Sequence, residues 1–208
     1  MHNMFSGCSN LTYLDLSHFN TSKTIWMKNM FHSCSNLISV NLTNFDTSNC
    51  VTFVNLFRGC SSLTYLDLSH FNTSKIENIS NIFSDCNNLI FLNLSNWDSS
   101  KIGNMKSLFS DCYSLKEIDF SNFNTLNVKE VNNMFSNCYS LISLDLSSFD
   151  TSKVFIMGHM FYGCKSLISL NITGFNTSNV KYIDYMFAGC NSLISLDISN
   201  FKSKRIKY

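Results

Sequence analysis

The chain of 208 residues has no proline, only seven glycines, and charged residues at just 14%. With no proline, nothing of that kind breaks a helix. Fifteen Lys plus Arg stand against fourteen Asp plus Glu, a formal net charge of +1. That balance gives neither the basic footprint of a nucleic-acid binder nor an acidic tail. The nearest approach to a charge run is Lys202, Lys204, Arg205 and Lys207 at the C-terminal end. No stretch reaches the ~18 consecutive apolar residues of a membrane span. Nor does Met1-His2-Asn3 lead into a basic and then apolar signal segment. An apolar fraction of 45% is that of a chain with a packed core, which excludes a disordered one.

What the chain has in quantity is cysteine, nine residues, and aromatics at 14%. An odd number of cysteines first suggests a disulfide scaffold with one thiol left over. Their spacing points elsewhere. An apolar-Phe pair recurs at Met4-Phe5, Met30-Phe31, Leu56-Phe57, Ile82-Phe83, Leu108-Phe109, Met134-Phe135, Met160-Phe161 and Met186-Phe187, a constant step of 26 residues. With that pair as positions 1 and 2, position 5 is always Cys, position 8 always Leu, and position 16 always Phe except Trp97. L-x-x-L-x-L at such a period is the leucine-rich-repeat signature, in which each unit adds a strand to a parallel sheet lining a horseshoe. Residues 1–208 therefore read as one solenoid domain of eight repeats, starting at 4, 30, 56, 82, 108, 134, 160 and 186. With no polar capping repeats, the expectation is a segment of a longer array, or else a short chain whose ends pair with other chains.

Within a unit, the alternation around Leu66-Asp67-Leu68 predicts a short strand. From position 20 the period changes: Ile76, Ile79, Phe83 and Cys86 fall at steps of three, four and three, one face of a short helix. Position 4 holds Gly7, Ser33, Gly59, Asp85, Asp111, Asn137, Gly163 and Gly189, residues that suit a left-handed helix C-cap. The expected fold is thus a right-handed α/β solenoid, each repeat pairing one strand with one helix.

Stacking at about 4.8 Å turns each repeat position into a ladder of like residues. Fifteen of the nineteen Phe, with Trp97, occupy positions 2 and 16, which makes them a stacked core. Eight cysteines form the position-5 ladder, and Cys50 fills a position elsewhere held by Ile or Val. The geometry of a ladder is poor for disulfides, so buried free thiols are expected. No C-x-x-C pair suggests zinc, and no nucleophile, base and orienter converge. The chain is expected to be non-enzymatic, with no catalytic residue, metal or cofactor. Position 12 alternates Asp15, Asn41, Asp67, Asn93, then Asp119, Asp145, Asn171, Asp197, a pattern that relieves repulsion between stacked carboxylates. The Asn-x-Ser/Thr sequons, such as Asn20 and Asn72, are by-products of the repeat.

The unit M-F-x-x-C-x-S-L-x-x-L-D-L-S-x-F-[ND]-T-S-x-V, nearly whole in Met134 to Val154 and Met160 to Val180, resembles the BspA-type leucine-rich repeats. Such repeats occur in bacterial surface proteins and mycoplasma lipoprotein-like proteins. The resemblance implies a cell-surface or secreted adhesion module that binds a host, matrix or cell-surface protein. It brings no catalytic residues. Repeat proteins bind through the concave sheet, where positions 10, 12 and 14 face outward. There Tyr13, Tyr65 and Phe91, with Asp15, Asp67 and Glu117, form the expected partner-binding patch. No nucleic acid or membrane span enters this reading. The alternative is a structural array that associates end to end through uncapped coils.

Overall fold

The computed structural model describes residues 1–202. The basic residues Lys204, Arg205 and Lys207 lie outside the described residues. The chain winds into stacked coils whose regular elements, among the described residues, are six three-residue strands: β1 (Tyr13–Asp15), β2 (Ser39–Asn41), β3 (Tyr65–Asp67), β4 (Phe91–Asn93), β5 (Ser143–Asp145) and β6 (Ser169–Asn171). They pair in parallel, in register, one repeat with the next: Leu14 with Val40, Leu66 with Leu92, Leu144 with Leu170. The continuous sheet expected from the repeat is instead three two-stranded ones.

The breaks follow position 12. Strands pair where an Asp is followed by an Asn one repeat on: Asp15 with Asn41, Asp67 with Asn93, Asp145 with Asn171. In each pair the Asn amide also supports the preceding carboxylate and helps lower its pKa. Where the order is Asn then Asp, or Asp119 followed by Asp145, no strand pair forms among the described residues. An aspartate whose oxygen already accepts its own residue i+2 N–H has no proton to offer backwards, so the support runs one way.

The helix expected in each repeat is absent among the described residues, and the α/β class is corrected accordingly. Its apolar face is buried as expected, with Ile76, Ile79, Phe83 and Cys86 at 0% exposure. Its backbone does something else. The amides of Asn29, Phe31 and Ser33 donate to the carbonyls of Val54, Leu56 and Arg58 in the next repeat, while those of His32 and Cys34 close tight turns onto Asn29 and Phe31. Every second amide therefore leaves the coil, which an α-helix does not allow. Two residues per unit sit at positive φ. One is position 4, left-handed at all eight of its occurrences, from Ser33 (φ 59) to Gly189 (φ 80). The other precedes the Met-Phe pair and is Asn3, Asn29, Asn55, Asn81, Ser107, Asn133, His159 and Tyr185. Left-handed residues four apart interrupt any helix that would cross them, and the asparagines are the residues that accept this conformation best after glycine. Just before these turns a one-residue bridge ladder runs unbroken from Trp26 through Thr52, Asn78, Asn104, Glu130 and Ile156 to Tyr182. This holds the second side of the coil at strand spacing of about 4.8 Å, where a helix about 10 Å wide has no room.

The core lies between the two sides. Eight phenylalanine rings of position 2 stack from Phe5 to Phe187 with centroids 5.1 to 6.2 Å apart. The position-5 cysteines from Cys34 to Cys190 donate Sγ–H to the phenylalanine carbonyl 29 residues earlier, at 3.0 to 3.2 Å, and Cys50 donates to the Thr24 carbonyl at 3.2 Å. All nine thiols are free. Burial, the largest cause, pushes Cys34 and Cys50 to about 11 and Cys86 and Cys164 to about 12. A thiolate is the reactive species, so these thiols are inert in the folded chain at pH 8. Titration of the folded chain with an aromatic disulfide reagent is expected to give one fast thiol, the exposed Cys8. All nine should react after denaturation. Rapid reaction of several thiols without denaturant would contradict the buried ladder.

Candidate binding surface

Positions 10, 12 and 14 of the repeats face solvent along one side of the solenoid, and the short strands fix their spacing. Tyr13, Tyr65 and Phe91 are exposed there at 56%, 57% and 47%. Tyr65 and Phe91 lie side by side on β3 and β4, and their rings stack at 4.7 Å with planes 5° apart. In-register parallel pairing imposes this, since the same position on adjacent strands falls rung above rung. Tyr13, on β1, has Ser39 as its neighbour on β2 and makes no ring contact among the described residues. The structure thus joins Tyr65, Phe91 and Glu117 and leaves Tyr13 and Asp15 as a separate outpost.

The sheet breaks open two clefts on this face. One, of about 510 Å³, separates β4 from Glu117–Asp119 and is lined by Phe91, Leu92, Asn93, Ile118 and Phe123 with the two carboxylates. The other, of about 380 Å³, separates β2 from β3 and is lined by Val40, Asn41, Tyr65, Asp67 and His70. His70 is tied down there, with Nε2 3.0 Å from the Leu42 carbonyl oxygen. Ile118 and Asp119 lie outside the patch expected from the sequence, Asp119 figuring there only as a rung of position 12. The signal for them was the one acidic residue in the position-10 ladder, Glu117, next to an Asp-Asp step in the position-12 ladder.

Charge is segregated by the fold. Positions 10, 12 and 14 of all eight repeats carry Asp15, Asp67, Glu117, Asp119, Asp145 and Asp197 and no Lys or Arg. Half a coil away, positions 20 to 25 carry eight exposed lysines, among them Lys23, Lys75, Lys101 and Lys153, against Glu77, Glu130 and Asp184. A net charge of +1 thus conceals an acidic strand face and a basic flank.

The position-12 aspartates are held below the ordinary carboxylate value of 3.8, first by the backbone N–H two residues on: Asp15 accepts from Ser17 at 2.9 Å and Asp145 from Ser147 at 2.8 Å. At position 17, Asp46, Asp98 and Asp150 are lowered first by the hydroxyl of the serine two residues on, then by its N–H. A depressed folded pKa means that the stabilisation is fully present above the unfolded value. It is lost as pH falls through the folded value. The urea midpoint of unfolding is therefore expected to hold level from pH 7 to about 5 and to fall below pH 3.8. Asp145→Asn, which still offers an acceptor oxygen to Ser147, flattens part of that fall. A midpoint that rises on acidification would overturn the assignment.

Parallel coils closed by an L-x-x-L-x-L strand make this a repeat solenoid of the leucine-rich-repeat type. Within that class the chain belongs to the family described as "Mycoplasma protein of unknown function, DUF285", which it matches over residues 1–117, 52–145 and 140–208. Among solved structures, a leucine-rich repeat protein of T. pallidum is similar at 21% identity, over 75% of this chain and 78% of that one, with a TM-score of 0.46. A leucine-rich cell surface protein of Faecalibacterium prausnitzii is 15% identical over 95% and 76% of the two chains, TM-score 0.38. A leucine-rich repeat protein of Bacteroides ovatus is 17% identical over 95% and 69%, TM-score 0.26. No curated protein matches the chain by sequence.

Proposed function

We propose that the chain is a non-enzymatic protein-binding module of a cell-surface or secreted protein, of the kind its BspA-type resemblance implies. Partners dock on the strand face. The observation that supports this reading is the stacked Tyr65–Phe91 pair, which is solvent-exposed yet rigidly placed on β3 and β4 beside an open cleft. Aromatic anchors of this kind contribute large contact area with little side-chain entropy to lose, which is why they dominate protein interfaces. The acidic surround of Asp67, Glu117 and Asp119 selects partners that carry positive charge.

The test is capture of purified matrix and host-surface proteins on the immobilised chain. Tyr65→Ala and Phe91→Ala should each weaken capture by about tenfold, while leaving thermal unfolding in place. Tyr185→Ala removes an exposed aromatic outside the strand face and should change nothing. Equal capture by the unaltered chain and by both strand-face variants would sink the reading.

A further inference from the structure

Two aromatic ladders on this chain are built alike and finish differently. On position 6, Tyr113 and Tyr139 stack at 4.8 Å with planes 7° apart, and the next rung, Lys165, sets its Nζ 4.4 Å from the centre of the Tyr139 ring. The chain itself thus completes that pair with a cation. On position 10, Tyr65 and Phe91 stack at 4.7 Å with planes 5° apart, but the next rung is Glu117, an anion. The face of Phe91 turned away from Tyr65 borders the 510 Å³ cleft, whose opposite wall is Glu117, Ile118 and Asp119. Among the described residues no cation fills the place that Lys165 fills in the other ladder. Lys116, the nearest in sequence, makes no ion pair with Glu117, and the ion pair among the described residues is Arg58–Asp85.

We propose that this cleft receives an arginine side chain from a protein partner, its guanidinium stacked on Phe91 and paired with the carboxylates of Glu117 and Asp119. The proposal rests on the strand-face reading above and gives it a chemistry. Arginine fits better than lysine because a planar guanidinium lies flat on a ring while its edge forks to a carboxylate, which a round ammonium cannot do at once. The aliphatic stem of the arginine runs over Leu92 and Ile118, which supply the apolar floor.

The probe is a fluorescent peptide of four arginines spaced by glycines, with matched lysine and citrulline peptides, titrated into the full chain at low salt. The arginine peptide is expected to bind more tightly than the lysine one, and the neutral, isosteric citrulline peptide should not bind measurably. Glu117→Gln together with Asp119→Asn should weaken the arginine peptide by about tenfold, the effect of losing charge-assisted hydrogen bonds. Phe91→Ala should weaken it and abolish the upfield ring-current shift of the arginine side-chain protons. Asp197→Asn, on the same face but three rungs from Asp119 and outside the cleft, should leave affinity within about twofold, which separates a site from diffuse attraction. Equal loss with Asp197→Asn, equal affinity for citrulline, or no binding of any peptide overturns the arginine site. If those results appear while Tyr65→Ala still weakens matrix-protein capture, the strand-face reading stands without it.

Discussion

Phe109→Ala is expected to cost the chain about 3–5 kcal/mol, enough to unfold many domains of this size. Phe109 is fully buried, stacked on Phe83 at 5.5 Å and Phe135 at 5.7 Å, with Phe120 edge-on at 6.0 Å. Truncation leaves a cavity walled by three rings, and the coil-to-coil hydrogen bonds of Phe83 to Leu108 and Phe135 to Met160 keep the coils from closing on it, so little of the lost contact is recovered. In a one-dimensional stack the damage also falls on both neighbouring repeats. Phe5→Ala provides the comparison, because Phe5 is half-buried and, among the described residues, stacks on one ring, Phe31 at 5.8 Å. Urea denaturation should show a loss for Phe5 less than half that for Phe109. Equal losses would mean that the rings act as separate apolar groups and that the ladder adds nothing.

The second large effect is expected from Thr151→Val, at about 2–3 kcal/mol. Thr151 is 1% exposed, and its hydroxyl donates to the Asn176 carbonyl at 3.1 Å while accepting from the Asn176 N–H at 2.7 Å. One side chain thus replaces a backbone rung where the coils turn. Thr21 and Thr125 do the same to Asp46 and Asp150. Valine has the same shape and neither group, leaving a buried donor and acceptor unpaired. Thr151→Ser should recover most of the loss, because the chain already uses serine at this position. Ser99, 2% exposed, accepts from the Asn124 N–H at 2.7 Å. Native-state hydrogen exchange at the Asn176 amide checks the mechanism directly. Full protection in the valine variant would contradict it.

The candidate site was legible in part. Tyr65, Phe91 and Glu117 could be found by comparing position 10 across the repeats, since the variable outward position of a repeat is where a surface acquires identity. Their grouping depends on register and on where the sheet opens, which no single repeat encodes. Tyr13 belongs to the same ladder and is equally exposed, yet its neighbour Ser39 leaves it without a stack. The position-12 alternation was visible as charge relief. That an Asp followed by an Asn pairs two strands, while the reverse order leaves them unpaired, needed the direction of the hydrogen bonds.

By itself the sequence determined the 26-residue period, the burial of Phe, Leu and Cys ladders, the left-handed residue at position 4 and the parallel stacking of repeats. All of these follow from spacing and residue type alone. Only the tertiary structure decided that Ile76, Ile79, Phe83 and Cys86 lie on a turning, laddered segment and not on a helix. A spacing of three and four residues reports which side chains are buried; where the backbone amides go depends on the next coil, about 4.8 Å away. The same holds for charge. Composition sums lysines and aspartates to nearly nothing, whereas stacking sorts them by repeat position and places them on opposite sides of the coil.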